Sequence, residues 1–143
     1  MGQMIKPSAV TKPRICVLED DSAVSDSLRV MLARNGFEVT VFPTAGDFLA
    51  SRDLDNYDCL IVDFALPVMS GLELLELLRA RAYSKPALLI WGRPETQLLP
   101  RIRRAGISEA LAKPLAPDEL MAALRRAVDR GGQASATYVP LRT

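Results

Sequence analysis

The sequence predicts an α/β protein, a doubly wound five-stranded parallel sheet with helices on both faces. Three observations lead there. Short apolar runs alternate five times with longer stretches of helical period. The runs R-I-C-V-L, D-C-L-I-V and A-L-L-I-W are apolar almost throughout, which suits strands buried on both faces. Each strand-to-strand connection holds a helical stretch, so right-handed crossovers return every strand parallel to the last.

The elements follow in order. Arg14–Leu18 is a strand. Ser22–Asn35 carries Val24, Leu28, Met31 and Leu32 at helical spacing and stops at Gly36. Phe37–Phe42 alternates and is β-branched. Thr44-Ala-Gly-Asp47 has the form of a capping box and opens a short helix to about Ser51. Tyr57–Val62 is a buried strand. Ser70-Gly-Leu-Glu73 is a second capping box, with its helix running to about Ala82. Ala87–Trp91 is the fourth strand. A helix near Gln97–Ala105 ends at Gly106, but Pro100 falls inside it. Proline deletes a helical hydrogen bond and is tolerated in the first turn, so the helix is expected to start near Leu98 or Leu99 after an irregular segment. Ile107–Leu111 is a weaker fifth strand. Pro117-Asp118-Glu119 opens the last helix, which runs to about Arg130 and ends at Gly131-Gly132. One domain over 14–130 is expected, with an N-terminal extension at 1–13 and a flexible tail at 131–143.

Composition narrows the function. Hydrophobic residues make up 49% and charged residues 24% of the 143, as in ordinary globular domains. No apolar run reaches the roughly 18–20 residues of a membrane helix, and the N-terminus lacks a signal-peptide core, so a cytoplasmic location is expected. There is no histidine. That excludes histidine acid–base catalysis, most zinc sites and a phosphohistidine on this chain. Cys16 and Cys59 sit in apolar runs and read as small buried thiols. The net charge of +1 gives no reason to expect nucleic acid. Residues 1–92 carry 9 Lys/Arg against 12 Asp/Glu, and residues 93–130 carry 8 against 5, a mild basic excess.

In doubly wound sheets, ligands bind beyond the carboxyl ends of the strands. The strand ends here offer Glu19-Asp20-Asp21, then Asp63, then Trp91-Gly92-Arg93, then Lys113-Pro114. Carboxylates brought this close repel one another unless a cation intervenes. Mg²⁺ prefers oxygen ligands, takes one or two carboxylates and keeps several waters. A carboxylate beside it is a competent nucleophile toward phosphorus. Each motif alone is ordinary: a loop aspartate, a helix start, a lysine before proline. Their joint placement at the ends of the first, third and fifth strands is what carries the reading.

Those residues resemble the receiver domain of bacterial two-component response regulators, of the CheY-like superfamily. V-L-E-D-D-S, L-I-V-D-F-A-L-P-V-M-S-G and A-K-P-L carry the resemblance, over about Arg14 to Arg130. The spacings agree: 43 residues from Asp20 to Asp63 and 50 from Asp63 to Lys113. The resemblance implies a flavodoxin-like sheet of order 2-1-3-4-5. It implies that Asp63 accepts a phosphoryl group from a histidine kinase or a histidine phosphotransfer protein. It makes Asp20, Asp63 and the backbone carbonyl of Ala65 ligands of Mg²⁺, with Glu19 acting through water and Asp21 a weaker candidate. Lys113 pairs with Asp63 or its phosphate, and the bond before Pro114 is cis in the family. Such a protein is a switch rather than an enzyme. Its output runs through a protein partner or a homodimer on the face of helix four, strand five and helix five, with no nucleic acid and no membrane. On that face the sequence places Arg101, Arg103 or Arg104, with Arg125 and Arg126.

Two positions depart from the family pattern. Trp91 stands where a Ser or Thr hydroxyl reaches the phosphoryl group, and Ala110 stands where a Tyr or Phe swings inward. Three readings follow: Trp91 fills the volume the missing aromatic leaves, Trp91 is itself the moving side chain, or the alignment is one residue out. Three functional classes compete accordingly. The phosphoacceptor switch leads. A degenerate receiver acting as a phosphate-independent scaffold is favoured by Trp91 and Ala110 and disfavoured by intact Asp20, Asp63 and Lys113. An aspartyl-phosphate hydrolase is expected to carry a second acid two residues after the nucleophile, where this chain has Ala65. About 13 residues follow Arg130, too few for a DNA-binding domain. A transcriptional output would need this chain to be the receiver fragment of a longer regulator.

Overall fold

The computed structural model describes residues 11–132. Residues 133–143 of the expected 131–143 tail and 1–10 of the expected 1–13 extension lie outside them. The strands are Arg14–Leu18 (β1), Glu38–Phe42 (β2), Cys59–Asp63 (β3), Ala87–Trp91 (β4) and Glu109–Ala112 (β5). The helices are Ser22–Arg34 (α1), Ala45–Ala50 (α2), Gly71–Ala80 (α3), Leu99–Arg104 (α4) and Pro117–Gly132 (α5). All strand pairs are parallel, in the order β2-β1-β3-β4-β5.

Side-chain alternation along the strands splits the core into two layers. Cys16, Leu18, Leu60, Val62 and Leu89 pack with α2, α3 and α4. Ile15, Val17, Ile61, Leu88 and Ile90 pack with α1 and α5. β3 lies at the centre and all five of its residues are buried. Cys16 and Cys59 are free thiols in opposite layers, and burial pushes both of their pKa values up.

Several boundaries differ from the sequence reading for local reasons. β3 starts at Cys59, because Leu54–Asn56 forms a 3₁₀ turn and Asp58 bridges to β1 through Arg14. β3 ends on Asp63, so the carboxylate belongs to the last strand residue. β2 starts at Glu38 and β5 runs over Glu109–Ala112, one or two residues later than expected. α3 stops at Ala80, where Arg81 and Ala82 turn out of the helix and Ala82 takes φ +63°. Its Ser70–Glu73 capping box is complete, whereas at Thr44 only the side-chain bond to the Asp47 N–H forms. A 3₁₀ turn at Thr96–Leu98 precedes α4, which places Pro100 in the first turn. α5 continues through Gly131 instead of stopping at Arg130. A Cβ there would lie 2.6 Å from Cγ of Pro86, so glycine lets the last turn rest on the entry to β4.

Gly71 sits where the backbone approaches closely. It opens α3 against the end of β3, where a Cβ would meet the Asp63 carbonyl oxygen and lie 2.8 Å from Cγ1 of Val62. Its N–H donates to the Phe64 carbonyl at 2.8 Å. Gly71→Ala is expected to lower stability by about 2 kcal/mol, the scale of forced overpacking. The loss should exceed any gain in helix propensity, and the midpoint of urea unfolding measures it.

Candidate functional site

The three acids after β1 take different tasks. The Glu19 N–H donates to the Phe42 carbonyl at 3.1 Å, which carries the β1–β2 pairing one residue past the strand. The Glu19 side chain is buried, and one of its oxygens accepts the Asp21 N–H at 3.2 Å. Asp20 is exposed. Asp21 caps α1, accepting from the Ala23 and Val24 N–H groups at 2.9 and 3.2 Å. Capping is the ordinary task of aspartate at that position, so Asp21 is occupied there. Glu19 and Asp20 are left to face Asp63.

Asp63 closes β3 with its side chain 4% exposed. Oδ1 accepts the Ala65 N–H at 3.1 Å, and Oδ2 accepts from Nζ of Lys113 at 3.1 Å. The lysine is held by its own backbone, since its N–H donates to the Trp91 carbonyl at 2.9 Å. Its ammonium also lies 3.7 Å from Glu19 Oε1. The Lys113–Pro114 bond is cis. The ends of β1, β3 and β5 thus meet as the sequence implied, with β4 supporting the lysine.

The balance of charge is uneven. Glu19, Asp20 and Asp63 bring ligand oxygens within 4.8 Å of one another, and one ammonium faces them. Burial, reinforced by the adjacent Asp63 carboxylate, pushes Glu19 up to about 7 against the pull of the Asp21 N–H and Lys113. Burial alone would lower Lys113, but its hydrogen bond to Asp63 and the two carboxylate charges outweigh it and raise the pKa. An all-oxygen donor set with two buried carboxylates, one exposed and a surplus of negative charge fits a hard divalent cation such as Mg²⁺.

Trp91 is the last residue of β4, and only 6% of it is exposed. It packs with Ala87, Leu89 and Ile102 in the layer beneath α3 and α4. Ala110, paired with Leu89 across the β4–β5 ladder, packs against the same cluster. Gly92 and Arg93 after it are exposed. In the loop after Asp63, Val68 is fully exposed at φ +70°, a region that β-branched residues rarely adopt.

Two arginines of the expected output face have carboxylate partners within the chain. Arg101 turns to α3, where Nε and Nη2 donate to Glu76 at 2.9 and 2.7 Å. Arg126 pairs with Glu109 of β5 at 2.8 and 2.9 Å. Arg104 and Arg125 are exposed. Sequence reasoning missed Gly71 and Arg79. The first is signalled only by its place eight residues after Asp63. The second carries no local signal, because its guanidinium donates to the Ala105 carbonyl, distant in sequence, and to the Tyr83 carbonyl beyond the end of α3.

Comparison with known proteins agrees with this geometry. The response regulator receiver domain family matches residues 15–125. The transcriptional regulatory protein FixJ of Bradyrhizobium diazoefficiens is 33% identical over 118 residues, which is 82% of this chain and 58% of FixJ. The cell cycle transcriptional regulator CtrA of Caulobacter vibrioides is 28% identical over 117 residues, 82% of this chain and 51% of CtrA. The chain therefore spans a little over half the length of these curated relatives. A CheY-like receiver domain protein from Methanospirillum hungatei superposes with a TM-score of 0.78 at 27% identity, covering 86% of this chain and 98% of that one. The response regulator StyR gives 0.80 at 33% identity, covering 86% and 62%. With sheet order, strand-end acids and lysine in agreement, the chain belongs to the response regulator receiver domain family.

Proposed function

We propose that this receiver accepts a phosphoryl group on Asp63 from a phosphohistidine-bearing protein and signals by contact with another protein. The observation that carries this reading is Asp63 itself, a buried strand-end carboxylate held between Lys113 and the Ala65 N–H and facing two further acids. Asp20, Asp63 and the Ala65 carbonyl would hold Mg²⁺, with Glu19 acting on it through water. When bound, the ion offsets negative charge as it gathers on the transferring group. The chain's own residues do the rest. An Asp63 oxygen attacks phosphorus, the P–N bond to the donor imidazole breaks, and the electron pair leaves with the imidazole. Lys113 then moves its pairing from the Asp63 carboxylate to a phosphoryl oxygen. The Ala65 N–H fixes the carboxylate's orientation.

A second reading draws on the relatives. FixJ and CtrA are named as transcriptional regulators and extend well beyond the matched region. In that reading the receiver acts on an attached output domain, by the same site chemistry.

Incubation with acetyl phosphate and Mg²⁺, followed by intact-mass measurement, tests the acceptor. One added phosphoryl group is expected on the wild type and none on Asp63→Asn. Absence of added mass on the wild type, repeated with histidine kinases as donors, would favour the phosphate-independent scaffold.

Glu19 supplies a pH signature. Its folded pKa lies above the ordinary carboxylate value, so between about 4.5 and 7 the folded state holds a proton that the unfolded chain releases. Its contribution to stability therefore falls as pH rises through that window without divalent ions. Mg²⁺ favours the ionised carboxylate, so its stabilising effect should grow over the same window. Thermal midpoints from pH 5 to 8, with and without Mg²⁺, should show both trends in the wild type. Both should flatten in Glu19→Gln.

We also propose that Trp91 fills the volume that Ala110 leaves. Trp91→Thr should cost about 3 kcal/mol through the cavity, and Ala110→Tyr about 1–3 kcal/mol through overpacking. The double variant should recover at least about 1 kcal/mol of the summed loss. Additive losses in denaturant unfolding would show that the two sites do not share one volume.

A further inference from the structure

α4 has little of its own to hold it in place. It is six residues long, its N-cap Leu98 makes no side-chain hydrogen bond, and Pro100 occupies its first turn. Helices this short are unstable unless tertiary contacts hold them. Ile102 is its one buried residue.

Leu99 packs against the same core from the start of α4, and two arginines add ties that run between α4 and α3. Glu76 and Arg79 lie three residues apart on α3, hence on one face. Glu76 receives the two-pronged bond from Arg101 of α4. Arg79 reaches the other way. Its Nε donates at 2.7 Å to the carbonyl of Ala105, the residue that ends α4, and its Nη1 donates at 2.8 Å to the Tyr83 carbonyl. Among the described residues Arg79 has no carboxylate partner. Its charge is spent on the carbonyl-rich end of α4, where a cation is favourable. Trp91 belongs to the same buried cluster as Ile102 and Ala105, and Ala110 of β5 packs against that cluster.

We propose that α3 and α4 form one rigid unit, held by the Arg101–Glu76 pair and the Arg79–Ala105 bond, and that occupancy of the Asp63 site leaves α4 where it is. A partner that reads this chain would then contact the rim of the site rather than a displaced α4. The first half stands on the geometry alone. The second rests on the reading of Asp63 as the phosphoryl acceptor.

Hydrogen exchange on the full chain tests both halves. Without ligand, Glu76→Gln and Arg79→Lys should each speed exchange of the amides at 102–107 by about fivefold to tenfold, since each removes one charge-assisted tie. Lysine at 79 keeps the charge but cannot fork to two carbonyls. Amides of α1 and β3 should keep their wild-type rates, which separates a released clasp from a loosened fold. If 102–107 exchanges no faster in either variant, the clasp is overturned. With Mg²⁺ and beryllofluoride as the phosphoryl mimic, wild-type amides at 63–66 should slow while those at 99–107 stay within twofold. If 99–107 changes as strongly as 63–66, the fixed-α4 proposal is overturned. If 63–66 does not respond at all, the acceptor reading fails instead, and the clasp still stands or falls on the two variants.

Discussion

The charge of Asp63 is the constraint around which this molecule is arranged. A carboxylate at the end of a fully buried strand loses most of its hydration and needs compensation nearby. The Lys113 ammonium at 3.1 Å and the Ala65 N–H at 3.1 Å supply it. Yet Glu19 and Asp20 are brought to the same place, so negative charge is in surplus. A site built only for stability would not add a second buried carboxylate beside the first. The surplus makes sense if the site exists to take up positive charge and to react.

Holding that arrangement requires the backbone to converge from four strands. β1 delivers Glu19 by extending its pairing with β2, and β5 delivers Lys113 through a bond to the carbonyl of Trp91. α3 closes directly on Asp63, and only glycine at 71 leaves room for it. The site is thus a property of sheet register. A slip by one residue would send Asp63, Glu19 or Lys113 to the opposite face.

Much of this was legible in the sequence because the signals are local. Apolar runs marked the strands, Ser70 and Glu73 marked the start of α3, and acids and a lysine after alternate strands marked the site. The strand order and the helix faces followed from crossover handedness and the family resemblance. The rest depends on contacts between distant residues. Nothing near Tyr57 and Asp58 in sequence says that a 3₁₀ turn delays β3 until Cys59. A glycine pair after Arg130 reads as a helix stop, and only the proximity of Pro86 turns it into a continuation. The sequence places Arg101 on the expected output face, and only the fold shows that α3 sets Glu76 opposite it.

Trp91 and the arginine ties of α4 belong to one physical problem. Moving a helix in response to a distant charge requires two packings of similar free energy. A hydroxyl and a mobile aromatic could supply the second packing. If the buried Trp91 fills the volume beside Ala110, as proposed, the layer has one filled packing, and close-packed interiors give such a ring few alternative positions. The same layer is tied across its top by Arg79 and Arg101. Rigidity of this kind would cost the domain a long-range relay while keeping the surroundings of Asp63 preorganised. The consequence lies in where information would reside. A phosphoryl group on Asp63 would change charge and shape at the rim, beside exposed Gly92, Arg93 and the strained, exposed Val68. Recognition of that rim needs a partner that reaches the site itself, and a protein that exchanges the phosphoryl group must already do so.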